Sequence, residues 1–369
     1  MSVKPRATPQ LVRPVIADIQ PYVPAETEEV LAQRSGLPVE RLVKLDANEN
    51  LYGPSPRVRA ALGAYDRHQI YPDPEQVATR EAAAAYYGVP AENVLLGAGS
   101  DEYIHLLTMV YLDPGDEVID FSPSFAMYPI YSGLMGGRMV YVPRNEQFAI
   151  DVDAGLRAVT DRTKLIFVAT PNNPTATATP RAAIERLLET GRIVVVDEAY
   201  AEFTNQTMVR DVLEHENLIV LRTFSKWAGL AGFRAGAVVA QESVLQHLWK
   251  IKSPFNLSVP AGIAVRESLK DLDYVQDCVR RIVAERARMA AALAELDWLR
   301  VYPSEGNFLY VEVTRGSARD VRERLVVEHG ISVRHFGGPP RIVQGLRITV
   351  GKPEHTDLLV SALRAVAPA

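Results

Sequence analysis

Cysteine is nearly absent from this chain: Cys278 is the only one in 369 residues. A lone thiol can form neither an internal disulfide nor a multi-cysteine zinc site, which points to a reducing compartment and to no metal ligand set of that kind. Lysine is scarce as well. Of 40 basic residues eight are lysines (Lys4, Lys44, Lys164, Lys226, Lys250, Lys252, Lys270 and Lys352), and the rest are arginines. Chemistry that requires a lysine amine therefore has few places to reside. Neither sign of charge is in large excess: 45 acidic residues against 40 basic ones give −5. Such a chain has no general attraction for nucleic acid or for an anionic membrane. No apolar run approaches the roughly 18 residues needed to cross a bilayer. Prolines interrupt residues 1–24, where a signal peptide would need a continuous apolar stretch. Repeats and low-complexity segments are also missing. These absences set the expectation of a cytoplasmic protein that uses no metal, nucleic acid or membrane.

What is present describes a globular chain, with 47% hydrophobic and 23% charged residues. At roughly 100–200 residues per domain the length suits two domains. Residues 1–48 are proline-rich and weakly periodic, and are expected to form an arm beside the smaller domain. Residues 49–263 alternate helix-like stretches, such as 75–87 (stopped by Gly88), 101–112 and 180–189, with short apolar runs. The runs are 117–121, 138–142, 165–169, 192–196, 218–221 and 237–240, nearly continuous in Val, Ile and Leu. Continuous runs are how strands buried on both faces of a mostly parallel sheet read, which makes this an α/β domain. Residues 264–369 change character. A long amphipathic stretch, 271–296, precedes the runs 308–313, 331–334 and 346–350 and the helix-like 319–328, as in a smaller α+β domain.

In open α/β sheets ligands bind beyond the carboxyl ends of the strands. The run ending at Phe121 leads to Phe125; the one ending at Ala169 leads to Asn172-Asn173. The next two deliver Asp197 with Tyr200, and Thr223, Ser225 and Lys226. An isolated Asp at such a place is as often a helix cap as a functional group. Its functional use is to hold a protonated ring nitrogen, as a pyridine-type electron sink requires. Most lysines are solvated surface residues, but Lys226 sits in an apolar, glycine-rich segment, Thr-Phe-Ser-Lys-Trp-Ala-Gly-Leu-Ala-Gly-Phe-Arg. A desolvated lysine loses proton affinity and becomes a nucleophile toward carbonyls. Arg234 is either a salt-bridge residue or a phosphate clamp. Gly97-Ala98-Gly99-Ser100-Asp101-Glu102 opens a helix after an apolar run, a setting whose amides can cradle an anion. A nicotinamide-dinucleotide fingerprint would need glycine where Glu102 stands. The Gly-x-Ser-x-Gly, His-Glu-x-x-His and Walker motifs do not occur.

Taken in order, this set resembles the fold-type I pyridoxal-phosphate aminotransferases, and more narrowly the histidinol-phosphate aminotransferases. The resemblance rests on Leu45-Asp46-Ala47-Asn48-Glu49-Asn50, Tyr71-Pro72-Asp73-Pro74, Pro171-Asn172-Asn173-Pro174-Thr175, Val196-Asp197-Glu198-Ala199-Tyr200, Thr223-Phe224-Ser225-Lys226, Gly232-Phe233-Arg234, Ser304-Glu305-Gly306-Asn307-Phe308 and Leu346-Arg347-Ile348-Thr349-Val350-Gly351. It implies that Lys226 forms a Schiff base with pyridoxal 5'-phosphate, that Asp197 pairs with the ring nitrogen, and that Tyr200 and Asn173 bond the ring oxygen. Phe125 would stack on the ring. Ser100, Asp101, Thr223, Ser225 and Arg234 would hold the phosphate, with Tyr71 reaching it from the other subunit of a homodimer. For substrate the resemblance implies Tyr22 on the closing arm, Asn173, and the arginines Arg334 and Arg347, which would grip the phosphate and the carboxylate.

The expected activity is transamination between L-histidinol phosphate and 2-oxoglutarate. An aromatic amino-acid aminotransferase or a phosphothreonine decarboxylase-like lyase would share the cofactor motifs. A non-catalytic binding protein on the same fold would be expected to have lost Lys226 or Asp197, and both are present. Three departures from the family pattern stand out: Ala176 where glycine is usual, Phe125 where tyrosine is common, and the bulky Trp227 after the lysine.

Overall fold

The apolar runs form strands whose alternate side chains enter two different cores. The computed structural model describes residues 11–17, 19, 21–204, 206–337 and 342–368. Lys4 and much of the segment screened for a signal peptide lie outside the described residues. In β5 (Thr163–Ala169), Ile166 and Val168 join one core while Leu165, Phe167 and Ala169 join the other. β6 (Ile193–Asp197) and β7 (Leu218–Thr223) divide in the same way. Successive side chains on a strand point to opposite faces, so a strand covered on both faces must be apolar throughout. Burying each such side chain contributes roughly 1.5–3 kcal/mol.

With β2 (Val94–Gly97), β3 (Glu117–Ser122), β4 (Arg138–Pro143) and β8 (Gly236–Val239), these strands make a seven-stranded sheet in the order β2-β8-β7-β6-β5-β3-β4. β4, β3, β5, β6 and β7 run parallel, and β8 is antiparallel to both its neighbours. The expected α/β architecture with a mostly parallel sheet is what the chain adopts. The expected helix at 75–87 spans Val77–Tyr87 and ends on Gly88, whose φ of 71° lies in the left-handed region that glycine reaches without steric cost.

The second sheet has five strands in the order β1-β11-β12-β10-β9. They are β1 (Val43–Leu45), β9 (Leu299–Val301), β10 (Phe308–Val313), β11 (Ile331–Phe336) and β12 (Gly345–Thr349). β1 comes from the weakly periodic arm and adds parallel to β11, with Leu45 beside Val333. Three residues later the same segment places Asn48 against Tyr200, in the turn that follows Asp197 of the large sheet. Nearer the N-terminus, helix Glu28–Ser35 packs on helix Ala318–His329, and Glu26 pairs with both Arg34 and Arg322.

The expected division at residue 263 lies inside helix Val259–Leu269. Ser258 caps this helix by accepting from the Ala261 amide at 3.3 Å, and the helix packs on helices Pro56–Gly63 and Val77–Tyr87. The long stretch at 271–296 forms a helix over Leu272–Ala294.

Candidate active site

Of the residues to which the resemblance assigns a role, all but Tyr71 line one cavity of about 470 Å³, between the carboxyl ends of the large-sheet strands and the small sheet. Such a volume suits a cofactor or small substrate. Tyr71 lies outside it, 76% exposed, with its ring stacked on Phe255 at 4.5 Å.

Lys226 follows β7 by three residues and turns its amine into the cavity. Nζ donates to the Ala47 carbonyl at 3.1 Å. Burial, and after it the positive charge of Arg347, push the ammonium pKa down to about 8 from 10.5. Between those values the unfolded chain binds more protons than the folded one, so stability rises with pH across that window. Below about pH 8 the buried charge is a full burden on the fold. Lys226→Met is therefore expected to raise the melting temperature of the ligand-free protein at neutral pH by a few degrees. It should also remove the gain in stability that the unchanged protein shows as pH rises above 8. Melting scans of both proteins at the two pH values check this.

Asp197 ends β6 and is buried. Its Oδ2 accepts from the Tyr128 hydroxyl at 2.7 Å and its Oδ1 from the Ala199 amide at 3.1 Å. Both donors are neutral. Burial raises the carboxyl pKa to about 6 against the pull of these two bonds. A buried carboxylate in this state is suited to receive a cation. Tyr200 holds its hydroxyl in the cavity by accepting from Asn48 Nδ2 at 3.0 Å, and burial raises its pKa to about 12. Asn173 turns its Oδ1 to Arg347 Nη1 at 2.7 Å.

The helix Ser100–Tyr111 opens on the cavity with unpaired first-turn amides, the partial positive end of its dipole. Two glycines allow this approach. A Cβ on Gly99 would meet Arg234 Nη2 at 2.7 Å, and one on Gly236 would strike the Ser100 amide itself. Arg234 Nη2 pairs with Asp101 at 3.2 Å. Thr223 and Ser225 are buried beside them, with the Ser225 amide donating to Thr223 Oγ1 at 3.2 Å. Backbone amides, hydroxyls and a guanidinium thus converge at one end of the cavity, a combination that binds phosphate.

Arg334 and Arg347 form the other end. They are cross-strand partners on β11 and β12, so their side chains share one face. Arg347 is 9% exposed and donates Nη2 to the Asp46 carbonyl at 2.5 Å, while its buried Nε has no partner. Arg334 donates to the Val23 and Pro24 carbonyls of the arm at 2.5 and 3.1 Å, which brings Tyr22 over the cavity.

The three departures are accommodated. Ala176 adopts φ 59°, the conformation glycine takes freely, and its amide still closes the turn onto Asn172 O at 2.7 Å. Trp227 is buried, stacks on Tyr86 at 5.0 Å and donates Nε1 to Thr223 O at 2.9 Å. Phe125 lines the cavity without a hydroxyl. Asn48, the Ala47 carbonyl and Tyr128 contribute to the site without having been assigned roles from the sequence. The signal for Asn48 was its place in the Asp46–Asn50 motif. Tyr128 left none, since it reads as an apolar-helix residue.

The cavity combines an acidified lysine, a buried carboxylate, a phenol and an anion cradle at the strand ends of a largely parallel sheet. A family model for aminotransferase class I and II matches residues 40–363, and the chain belongs to that family. Among its relatives is the histidinol-phosphate aminotransferase of Roseiflexus castenholzii, 49% identical over 98% of this chain and 100% of that one. The chloroplastic histidinol-phosphate aminotransferase of Nicotiana tabacum is 41% identical over 96% of this chain and 86% of its own length. Among solved structures, the histidinol-phosphate aminotransferase of Sinorhizobium meliloti in complex with pyridoxal-5'-phosphate superposes with a TM-score of 0.86 at 27% identity, covering 97% of this chain and 98% of that one.

Proposed function

We propose that the chain transfers the amino group of L-histidinol phosphate to 2-oxoglutarate, giving imidazole acetol phosphate and L-glutamate, with pyridoxal 5'-phosphate as cofactor. The observation that carries the substrate assignment is the pairing of Arg334 with Arg347. Like charges directly opposite on neighbouring strands repel, and these two share a face that lines the cavity. A doubly charged phosphate relieves that repulsion.

The residues present fit the cofactor. Asp197, buried beside neutral donors alone, suits a protonated ring nitrogen. Tyr200 and Asn173 would meet the ring oxygen, and Phe125 would cover the ring face. The Ser100 and Asp101 amides, Thr223, Ser225 and Arg234 would take the phosphate in the clearance left by Gly99 and Gly236. When bound, the cofactor supplies a carbonyl that condenses with amines and a ring that accepts an electron pair. Lys226 Nζ, with burial holding its pKa near 8, acts as a base close to neutral pH and moves the proton at the substrate carbon that bears nitrogen. Asp197 keeps the proton on the ring nitrogen. Asn48 fixes the Tyr200 hydroxyl, and Tyr22 limits water above the substrate. Arg347 also receives the carboxylate of glutamate in the second half of the cycle.

The proposal extends to a cytoplasmic homodimer in which Tyr71, exposed and outside its own cavity, reaches the phosphate end of the partner's site. Among the described residues no helix is long and apolar enough to cross a membrane.

The test is a comparison of amino donors with 2-oxoglutarate as acceptor. Histidinol phosphate is expected to turn over with parallel double-reciprocal lines, phenylalanine poorly, and phosphothreonine without release of carbon dioxide. Turnover of phenylalanine with none of the phosphorylated donor would overturn the assignment. Arg334→Ala is expected to raise KM for histidinol phosphate by about 10–100-fold, the loss of one or two charge-assisted hydrogen bonds. Its effect on KM for 2-oxoglutarate should be much smaller, and initial rates with each substrate varied in turn measure the split.

A further inference from the structure

Tyr128 lies one residue inside the helix Met127–Leu134 and is fully buried. A buried phenol normally finds a hydrogen-bond partner, and this one donates to Asp197 Oδ2 at 2.7 Å. Its ring is held on two sides. Phe167 of β5 stacks on it at 4.4 Å and 7°, and Phe125 meets it edge-on at 5.8 Å and 85°. The hydroxyl therefore has little freedom to point elsewhere.

We propose that Tyr128 is a positioning residue for this site: its hydroxyl keeps Asp197 ionised and fixed in orientation, while its ring backs the cavity wall formed by Phe125. This rests on the assignment of the cavity to pyridoxal phosphate. The argument starts from what surrounds the carboxylate. Asp197 receives two neutral hydrogen bonds and is buried; Asp101 and Glu198 near it are acidic, while Lys226 and Arg234 line the same cavity. Around Tyr128 stand Asp120 and Arg144. All the acidic neighbours favour a protonated Asp197, so the hydroxyl of Tyr128 is the strongest side-chain influence toward the charged form. Burial and the Asp197 charge push the Tyr128 phenol well above its usual range, so it stays a donor throughout the working pH range. Without this bond the carboxylate holds a proton more tightly. The proton shared between Asp197 and a ring nitrogen then moves toward Asp197, and the ring loses the charge that makes it an electron sink.

Tyr128→Phe removes the hydroxyl and keeps both ring contacts, so the protein is expected to fold and to melt a few degrees lower at neutral pH, where the ionised Asp197 has lost a hydrogen bond. Two readouts follow. In cofactor-free protein labelled with ¹³C at aspartate carboxyls, with Asp197 assigned by its loss in Asp197→Asn, the Asp197 midpoint is expected to be higher in Tyr128→Phe than in the unchanged protein. In protein loaded with pyridoxal phosphate labelled with ¹⁵N in the ring, the nitrogen signal is expected to move toward that of a neutral pyridine. The accompanying kcat falls about tenfold, while KM for 2-oxoglutarate stays within about twofold. An equal Asp197 midpoint in the two proteins overturns the inference. So does a fall in kcat with the nitrogen signal unmoved, which leaves Tyr128 as a core residue only. If the unchanged protein takes up no pyridoxal phosphate, the assignment of the cavity fails, and the carboxyl titration still decides whether Tyr128 holds Asp197 ionised.

Discussion

Replacing Lys226 with alanine is expected to slow the formation of glutamate from 2-oxoglutarate and histidinol phosphate by about 10⁴-fold, the upper range for loss of a positioned acid–base group. The size follows from the surroundings of the amine. Its amine donates to one carbonyl at 3.1 Å, and burial together with the charge of Arg347 lowers its proton affinity to a pKa of about 8, so that it can both take and return a proton close to neutral pH. The described lysines nearest in sequence, Lys250 and Lys252, do not line the cavity, so no neighbour substitutes for it. Pyridoxal phosphate should still bind, because its phosphate end and ring contacts are untouched. Borohydride should fix the cofactor to a Lys226 peptide in the unchanged protein and to no peptide in the variant. Small primary amines in the buffer should restore part of the activity. Full activity in Lys226→Ala would remove the basis of the mechanism.

Asp197→Asn is expected to lower kcat by about 10²–10³-fold, as losses of a buried electrostatic partner to the reacting charge commonly do. An amide keeps the shape and the bond to the Ala199 amide but carries no charge for a ring cation. The pH dependence sharpens the test. With its pKa raised to about 6, Asp197 is neutral below that pH in the free protein and ionised above it. Association of pyridoxal phosphate should therefore weaken as pH falls through 6 in the unchanged protein. The same titration in Asp197→Asn should lack this contribution and keep only that of the cofactor's own phosphate, whose second pKa is about 6. Stopped-flow absorbance at several pH values distinguishes the two. Equal pH dependence in both proteins would assign the effect to another group.

The rim of the site was legible because of how the strands are built. Strands buried on both faces leave uninterrupted apolar runs, and each cavity residue from the large sheet stands within a few positions of the end of such a run. Thus Asn173, Asp197, Tyr200, Thr223 and Lys226 could be lined up without knowing the strand order. The paired arginines were less accessible. A spacing of thirteen residues reveals nothing about register, and only the antiparallel pairing of β11 with β12 places Arg334 opposite Arg347. Asn48 escaped assignment because its role depends on φ 54° and on a neighbour 152 residues away. β1 escaped because three residues at a sheet edge give too short a pattern to read.

That short edge strand ties two tasks to one piece of chain. β1 is hydrogen-bonded into the small sheet, the next residue's carbonyl, Asp46 O, receives Arg347, Ala47 O receives Lys226, and Asn48 holds Tyr200. Thr349 and Asn307 clamp the Asn48 backbone from the small-sheet side. Three consecutive residues thus join the arginine at one end of the cavity to the amine and the phenol deeper in it, so a substitution that displaces β1 should disturb all three groups together.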